Sequence, residues 1–182
     1  MPGGIPRDLG VPTNGPLERT AEPDRGTGPP EQTSPRTEET MAAPLYTATS
    51  TAWGGRDGRV VSNDSRIDLQ LSMPKGLGGD DGPGTNPEQL FATGYAACFH
   101  GALKAVARER KIDVTDSAVT VSVSISRTDE GLDLATRIEA QIPGVDPATG
   151  RELLDLAHAK CPYSRATRGN VASEVTLVDG ES

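Results

Sequence analysis

The residues best suited to covalent chemistry in this 182-residue chain are its two cysteines, Cys98 and Cys161. A thiolate is a strong nucleophile that oxidises reversibly, and a second thiol can close the oxidised product as a disulfide. In a reducing compartment, two cysteines are more often free, metal-bound or catalytic than a permanent staple. Cys98 sits in a helical pattern on a stripe with Phe91, Tyr95 and Ala102, where the bland alternative is a small buried hydrophobe. Burial alone would raise its pKa and disarm it, so a reactive Cys98 needs a cation. Moving a thiol from about 8.5 to about 6 makes it roughly 90% thiolate at pH 7 and takes about 3.4 kcal/mol of differential interaction.

Arg56 is the best candidate for that cation, framed by Gly54-Gly55 and Asp57-Gly58 in a turn with several positions open to positive φ. A long side chain costs entropy to fix, and Glu88 can hold it as a bidentate partner. The alternatives are an ordinary solvated hairpin arginine and a first-turn acid answering the helix dipole. Cys161 ends a second helical pattern just before Pro162, a junction from which it could approach Cys98 and move away again. Pairing requires a Cα separation of about 4.4–6.8 Å.

Zinc binding is the rival chemistry, with Cys98, His100, His158 and Cys161 as ligands. Side chains at i and i+2 of a helix point about 200° apart, which sets Cys98 and His100 against a shared ion. His158 and Cys161, at i and i+3, are compatible with one. No dinucleotide fingerprint, Walker loop or nucleophile elbow is present, and Gly76 to Gly84 lacks the lysine and hydroxyl a phosphate loop needs. Ser62 and Ser126 read as wet strand positions.

The elements that must position these groups are legible from periodicity. Leu45 to Trp53 is Thr-rich strand, Arg59 to Ser62 resumes it after the glycine turn, and Ile67, Leu69 and Leu71 alternate with polar residues. Asn86, Pro87, Glu88 and Gln89 match cap, N1, N2 and N3 of a helix. That helix carries Leu90, Phe91, Tyr95, Cys98, Ala102, Ala105 and Val106 at helical spacing, as far as the charged end Arg108 to Lys111. Small residues on several of its faces predict a central, much-buried helix. Val119 to Ile125 and Leu132 to Ile142 alternate as a long hairpin turning near Asp129-Glu130-Gly131. A second helix runs from about Pro147 or Thr149 to Lys160, and a last strand from Val171 to Val178. The order β-β-β-α-β-β-α-β implies an α+β domain, its helices set against antiparallel sheet.

Residues 1–43 read as a disordered N-terminal extension, rich in Pro and Gly, and Met41 is a possible initiation site. The remainder, 44–182, is the folded domain. Hydrophobic residues make up 34% of the chain and aromatics 3%, so the core is small, of a kind often completed by a partner subunit. A net charge of −8 disfavours nucleic acid as a partner. The absence of an apolar run or a secretory signal disfavours a membrane and makes the cytoplasm the expected address.

Tyr46-Thr47-Ala48-Thr49, Gly54-Gly55-Arg56-Asp57-Gly58, Asn86-Pro87-Glu88-Gln89-Leu90-Phe91-Ala92, Gly94-Tyr95-Ala96-Ala97-Cys98-Phe99 and Cys161-Pro162-Tyr163-Ser164 together resemble the organic hydroperoxide resistance branch of the Ohr/OsmC family, over about residues 44 to 179. The resemblance implies an OsmC-like fold, an intertwined homodimer with sites near the subunit interface, and an apolar channel for alkyl or fatty-acid hydroperoxides. It implies that Cys98 is the peroxidatic cysteine, Cys161 the resolving cysteine, Arg56 the activating arginine and Glu88 its carboxylate partner. It also implies recycling by dihydrolipoamide or a lipoylated protein; the thiol chemistry itself requires no metal, haem or flavin cofactor. Leu90, Phe91 and Tyr95 are the expected channel residues.

This assignment carries a geometric difficulty. Ten residues separate Glu88 from Cys98, about 15 Å along a continuous helix, and their directions differ by about 80°. One arginine cannot bond both unless the helix is bent or interrupted near Gly94, or a second subunit supplies part of the cluster.

Overall fold

The computed structural model describes residues 43–178; the expected N-terminal extension lies outside them apart from its last residue. Three short strands, β1 (Ser50–Trp53), β2 (Arg59–Ser62) and β3 (Asp68–Gln70), form an antiparallel meander. Not one residue of these strands is buried, and Ile67 and Leu69 are exposed, as are Leu45 and Tyr46 ahead of β1. The first strand is shorter than its composition predicts, beginning at Ser50 rather than Leu45.

Helix α1 (Pro87–Arg110) follows. Its start is fixed by the Asn86 side chain, which accepts from the Gln89 N–H, and by Pro87 at N1. Tyr95, Phe99, Leu103, Val106 and Ala107 form its buried stripe, so within one chain α1 is covered on a single face. The helix is unbroken through Gly94, which removes a break there as the answer to the Glu88–Cys98 separation.

Strands β4 (Ala118–Thr128) and β5 (Gly131–Gln141) pair antiparallel over eleven residues about a two-residue turn, Asp129-Glu130. Helix α2 (Pro147–Lys160) and a short helix α3 (Pro162–Thr167) then cross to β6 (Ala172–Leu177). Strand β6 lies parallel to β5, which corrects the expectation of purely antiparallel sheet. A return through two helices brings the chain back to the end of the sheet from which β5 started, and parallel pairing needs such a crossover. The core lies between this sheet and the helices: Phe99, Leu103 and Val106 of α1, Ile138 and Ala140 of β5, and Leu153, Leu154 and Ala157 of α2.

Candidate active site

The sequence builds two polar groupings, at opposite ends of one stretch of α1. The first begins in the turn between β1 and β2. Gly54 and Gly55 take positive φ, and Gly58 packs so closely that a Cβ there would lie 1.6 Å from the Trp53 carbonyl oxygen. These three glycines therefore permit the tight turn Gly55–Asp57, which carries Arg56. Asp57 anchors it by accepting the Met73 N–H at 2.8 Å. Arg56 reaches the first turn of α1, where its Nη1 and Nη2 donate to Glu88 Oε2 and Oε1 at 2.8 and 2.7 Å. The hydrogen bonds from Arg56 hold the Glu88 carboxyl below the usual carboxylate range. Glu88 is the better covered partner, at 13% side-chain exposure against 34% for Arg56.

The pair lines a cavity of about 390 Å³ whose other lining residues are apolar: Pro87, Phe91, Val123, Ile125, Leu132 and Leu134. A second hollow of about 490 Å³ adjoins it across Glu88, Val123 and Ile125. Of the expected channel residues, Phe91 lines the first cavity, Leu90 is half-buried and lines neither, and Tyr95 is fully buried.

The second grouping is the cysteine pair. Cys98, half-buried on α1, and Cys161, completely buried between α2 and α3, are both free thiols with sulfurs 3.6 Å apart. Cys161 has φ −59° and ψ 124°, so it leaves the helical path as Pro162 demands and starts α3. Burial pushes the Cys98 thiol up, the Tyr163 backbone N–H pulls it down, and the neighbouring Cys161 pushes it up again. The Arg56 guanidinium is turned to Glu88, and the side-chain contact of the Cys98 sulfur is to Cys161. The structure thus joins Arg56 to Glu88 and Cys98 to Cys161, but within one chain it does not join the two pairs.

Sequence reasoning missed α3 and the residues it carries. Tyr163 stacks on Phe91 at 6.1 Å between ring centroids and lies 5.6 Å from the Tyr95 ring, while the Tyr95 hydroxyl donates to Ser164. The signal was present: a proline immediately after a capping position is a helix start. The zinc alternative does not assemble, since His100 Nε2 is 3.0 Å from Ser117 Oγ and the His158 ring packs on Phe99. Among the described residues no three His, Cys, Asp or Glu side chains are grouped to hold a metal, and no helix is long and apolar enough to cross a membrane.

Comparison with known proteins decides the family. The family of OsmC-like proteins matches residues 78–176. An organic hydroperoxide resistance protein of Xanthomonas axonopodis pv. citri is 50% identical over 141 residues, covering 75% of this chain and 99% of that protein. The chain belongs to the organic hydroperoxide resistance branch of the OsmC-like family. Solved structures agree. An organic hydroperoxide resistance protein from Legionella pneumophila superposes with a TM-score of 0.71 at 43% identity, covering 74% of this chain and 98% of that one. One from Elizabethkingia anophelis gives 0.72 at 41%, covering 76% and 100%. The two sheets and helices described above are therefore the OsmC-like α+β fold.

Proposed function

We propose that this protein is a cysteine-based peroxidase that reduces alkyl or fatty-acid hydroperoxides to alcohols, with Cys98 as nucleophile and Cys161 as resolving thiol. The observation that carries the reading is the contact of two free thiols at 3.6 Å, one accessible and the other enclosed. The Cys98 thiolate attacks the distal oxygen of ROOH, the O–O bond breaks, and the alkoxide leaves as alcohol after taking a proton. Cys98 is then a sulfenic acid. The Cys161 sulfur attacks that sulfur, the S–O bond breaks, and hydroxide departs as water with the Cys161 proton. An external dithiol of the dihydrolipoamide type, free or on a lipoylated protein, reduces the disulfide by exchange.

The separation of the two groupings supports a homodimer in which Arg56 and Glu88 of one copy meet Cys98 of the other. A guanidinium beside Cys98 would offset the burial that pushes its thiol up, and would stabilise charge developing on the peroxide oxygens. The apolar cavity next to Arg56 suits an alkyl chain better than hydrogen peroxide.

The test is thiol titration and non-reducing electrophoresis after one equivalent of cumene hydroperoxide, followed by steady-state turnover with dihydrolipoamide. Two free thiols should become none within one chain, Cys98→Ser should abolish peroxide consumption, and hydrogen peroxide should be the poorer substrate. Two titratable thiols surviving the oxidant would sink the reading.

A further inference from the structure

The Tyr95–Ser164 hydrogen bond has no part in the chemistry above, yet its placement mirrors the cysteine contact. Tyr95 lies three residues before Cys98 on α1, and Ser164 lies three residues after Cys161. Tyr95 and Cys98, three apart on α1, share a face, and Cys161 caps the start of α3, in whose first turn Ser164 lies. The two contacts are therefore neighbouring rungs between the same pair of segments: Cys98 Sγ to Cys161 Sγ at 3.6 Å, and Tyr95 Oη donating to Ser164 Oγ at 2.9 Å. Thr167 Oγ1, a further three residues along, is 3.5 Å from the same tyrosine hydroxyl. Tyr95 and Ser164 are both fully buried, where a hydrogen bond is strengthened and an unpaired hydroxyl is costly. Helix α3 has only six residues, too few to hold itself by its own ladder. This bond holds it against α1, together with the packing of the Tyr163 ring on Phe91 and Tyr95 and over Gly94, where an added Cβ would lie 3.2 Å from Tyr163 Oη.

We infer that Tyr95 and Ser164 are positioning residues for the resolving step, holding the start of α3, and with it the Cys161 sulfur, within reach of oxidised Cys98. The inference rests on the peroxidase reading. Disulfide formation must bring the sulfurs from 3.6 Å to about 2.05 Å; a fixed rung one helical turn away keeps that approach short and repeatable. The competing fate is attack by the Cys98 sulfenate on a second ROOH, which releases ROH and leaves a sulfinic acid that a dithiol cannot rescue. A loosened α3 slows the first path and leaves the second untouched.

The experiment uses the full chain, with Ser164→Ala, Tyr95→Phe and the double variant each reduced and then exposed to excess cumene hydroperoxide without reductant. Mass spectrometry gives the ratio of Cys98 sulfinic acid to Cys98–Cys161 disulfide. Each single change should raise that ratio by about five-fold, the equivalent of one ordinary hydrogen bond. The double variant should go no further, because both changes remove the same bond. Tyr95→Phe keeps the ring and its volume, so it decides the matter should Ser164→Ala fold poorly. A wild-type ratio in Tyr95→Phe, or effects that simply multiply in the double variant, overturns the positioning role. Failure of the wild-type chain to form the disulfide at all overturns the peroxidase reading as well, which separates the two failures.

Discussion

Within a single chain, Cys98 is a poor acid: burial pushes its thiol up and only the Tyr163 N–H draws it down appreciably. The missing cation is the quantity to measure. In Cys161→Ser protein, the pH profile of Cys98 alkylation should move up by at least about one unit, or about 1.4 kcal/mol, when Arg56 is replaced by alanine. Glu88→Ala should move it less, because the carboxylate mainly fixes the arginine. An unshifted profile in the Arg56 variant would remove that residue from activation. The Arg56–Glu88 pair has its own pH signature. Its hydrogen bonds lower the Glu88 pKa, so the stability it confers is fully present above the ordinary glutamate value and is lost as pH falls through the lowered one. Urea midpoints of wild type and Glu88→Gln should differ at neutral pH and draw together as pH falls below the ordinary glutamate value. The burial difference between the cysteines also sets which sulfur a dithiol attacks. Cys161 is enclosed and Cys98 is not, so a trapped mixed disulfide should sit on Cys98, as peptide mapping would show.

At the level of elements, the strands of the long hairpin and the start of α1 were readable because their signals are local. Val119 to Ile125 alternates with period two, and Asn86 with Pro87 states a helix start outright. The direction of β6 was not readable: Val171 to Val178 alternates equally well parallel or antiparallel, and the choice is made by a crossover through α2 and α3. The Arg56–Glu88 pair followed from side-chain chemistry, whereas the distance between that pair and Cys98 followed only from counting residues along an unbroken helix. Gly94 illustrates a position whose role lies in packing. Its added Cβ would meet Tyr163 Oη at 3.2 Å and Cε2 at 3.4 Å, so Gly94→Ala needs a shift of a few tenths of an ångström, offset by better helix propensity. It should be close to neutral. Gly94→Leu should cost about 1–3 kcal/mol by overpacking against that ring, measured by denaturant unfolding.

Across the whole molecule, stability is unevenly shared. The sheet of β4, β5 and β6 rests on the buried core, whereas the β1–β3 meander contributes no buried strand residue. A three-stranded sheet without a covered face is marginal by itself, so hydrogen exchange in β1–β3 should be fast in dilute protein and slow at concentrations where two copies associate. Equal protection at both extremes would argue against an intersubunit role for this sheet. The Arg56 turn joins β1 to β2, and the proposed catalyst exists only when that turn docks on a second chain. Turnover per chain should therefore decline on dilution through the dimer dissociation constant, making the rate close to second order in protein below it and first order above it. Inside a cell, halving the amount of this protein would then remove more than half of its protection whenever its level sits near that constant.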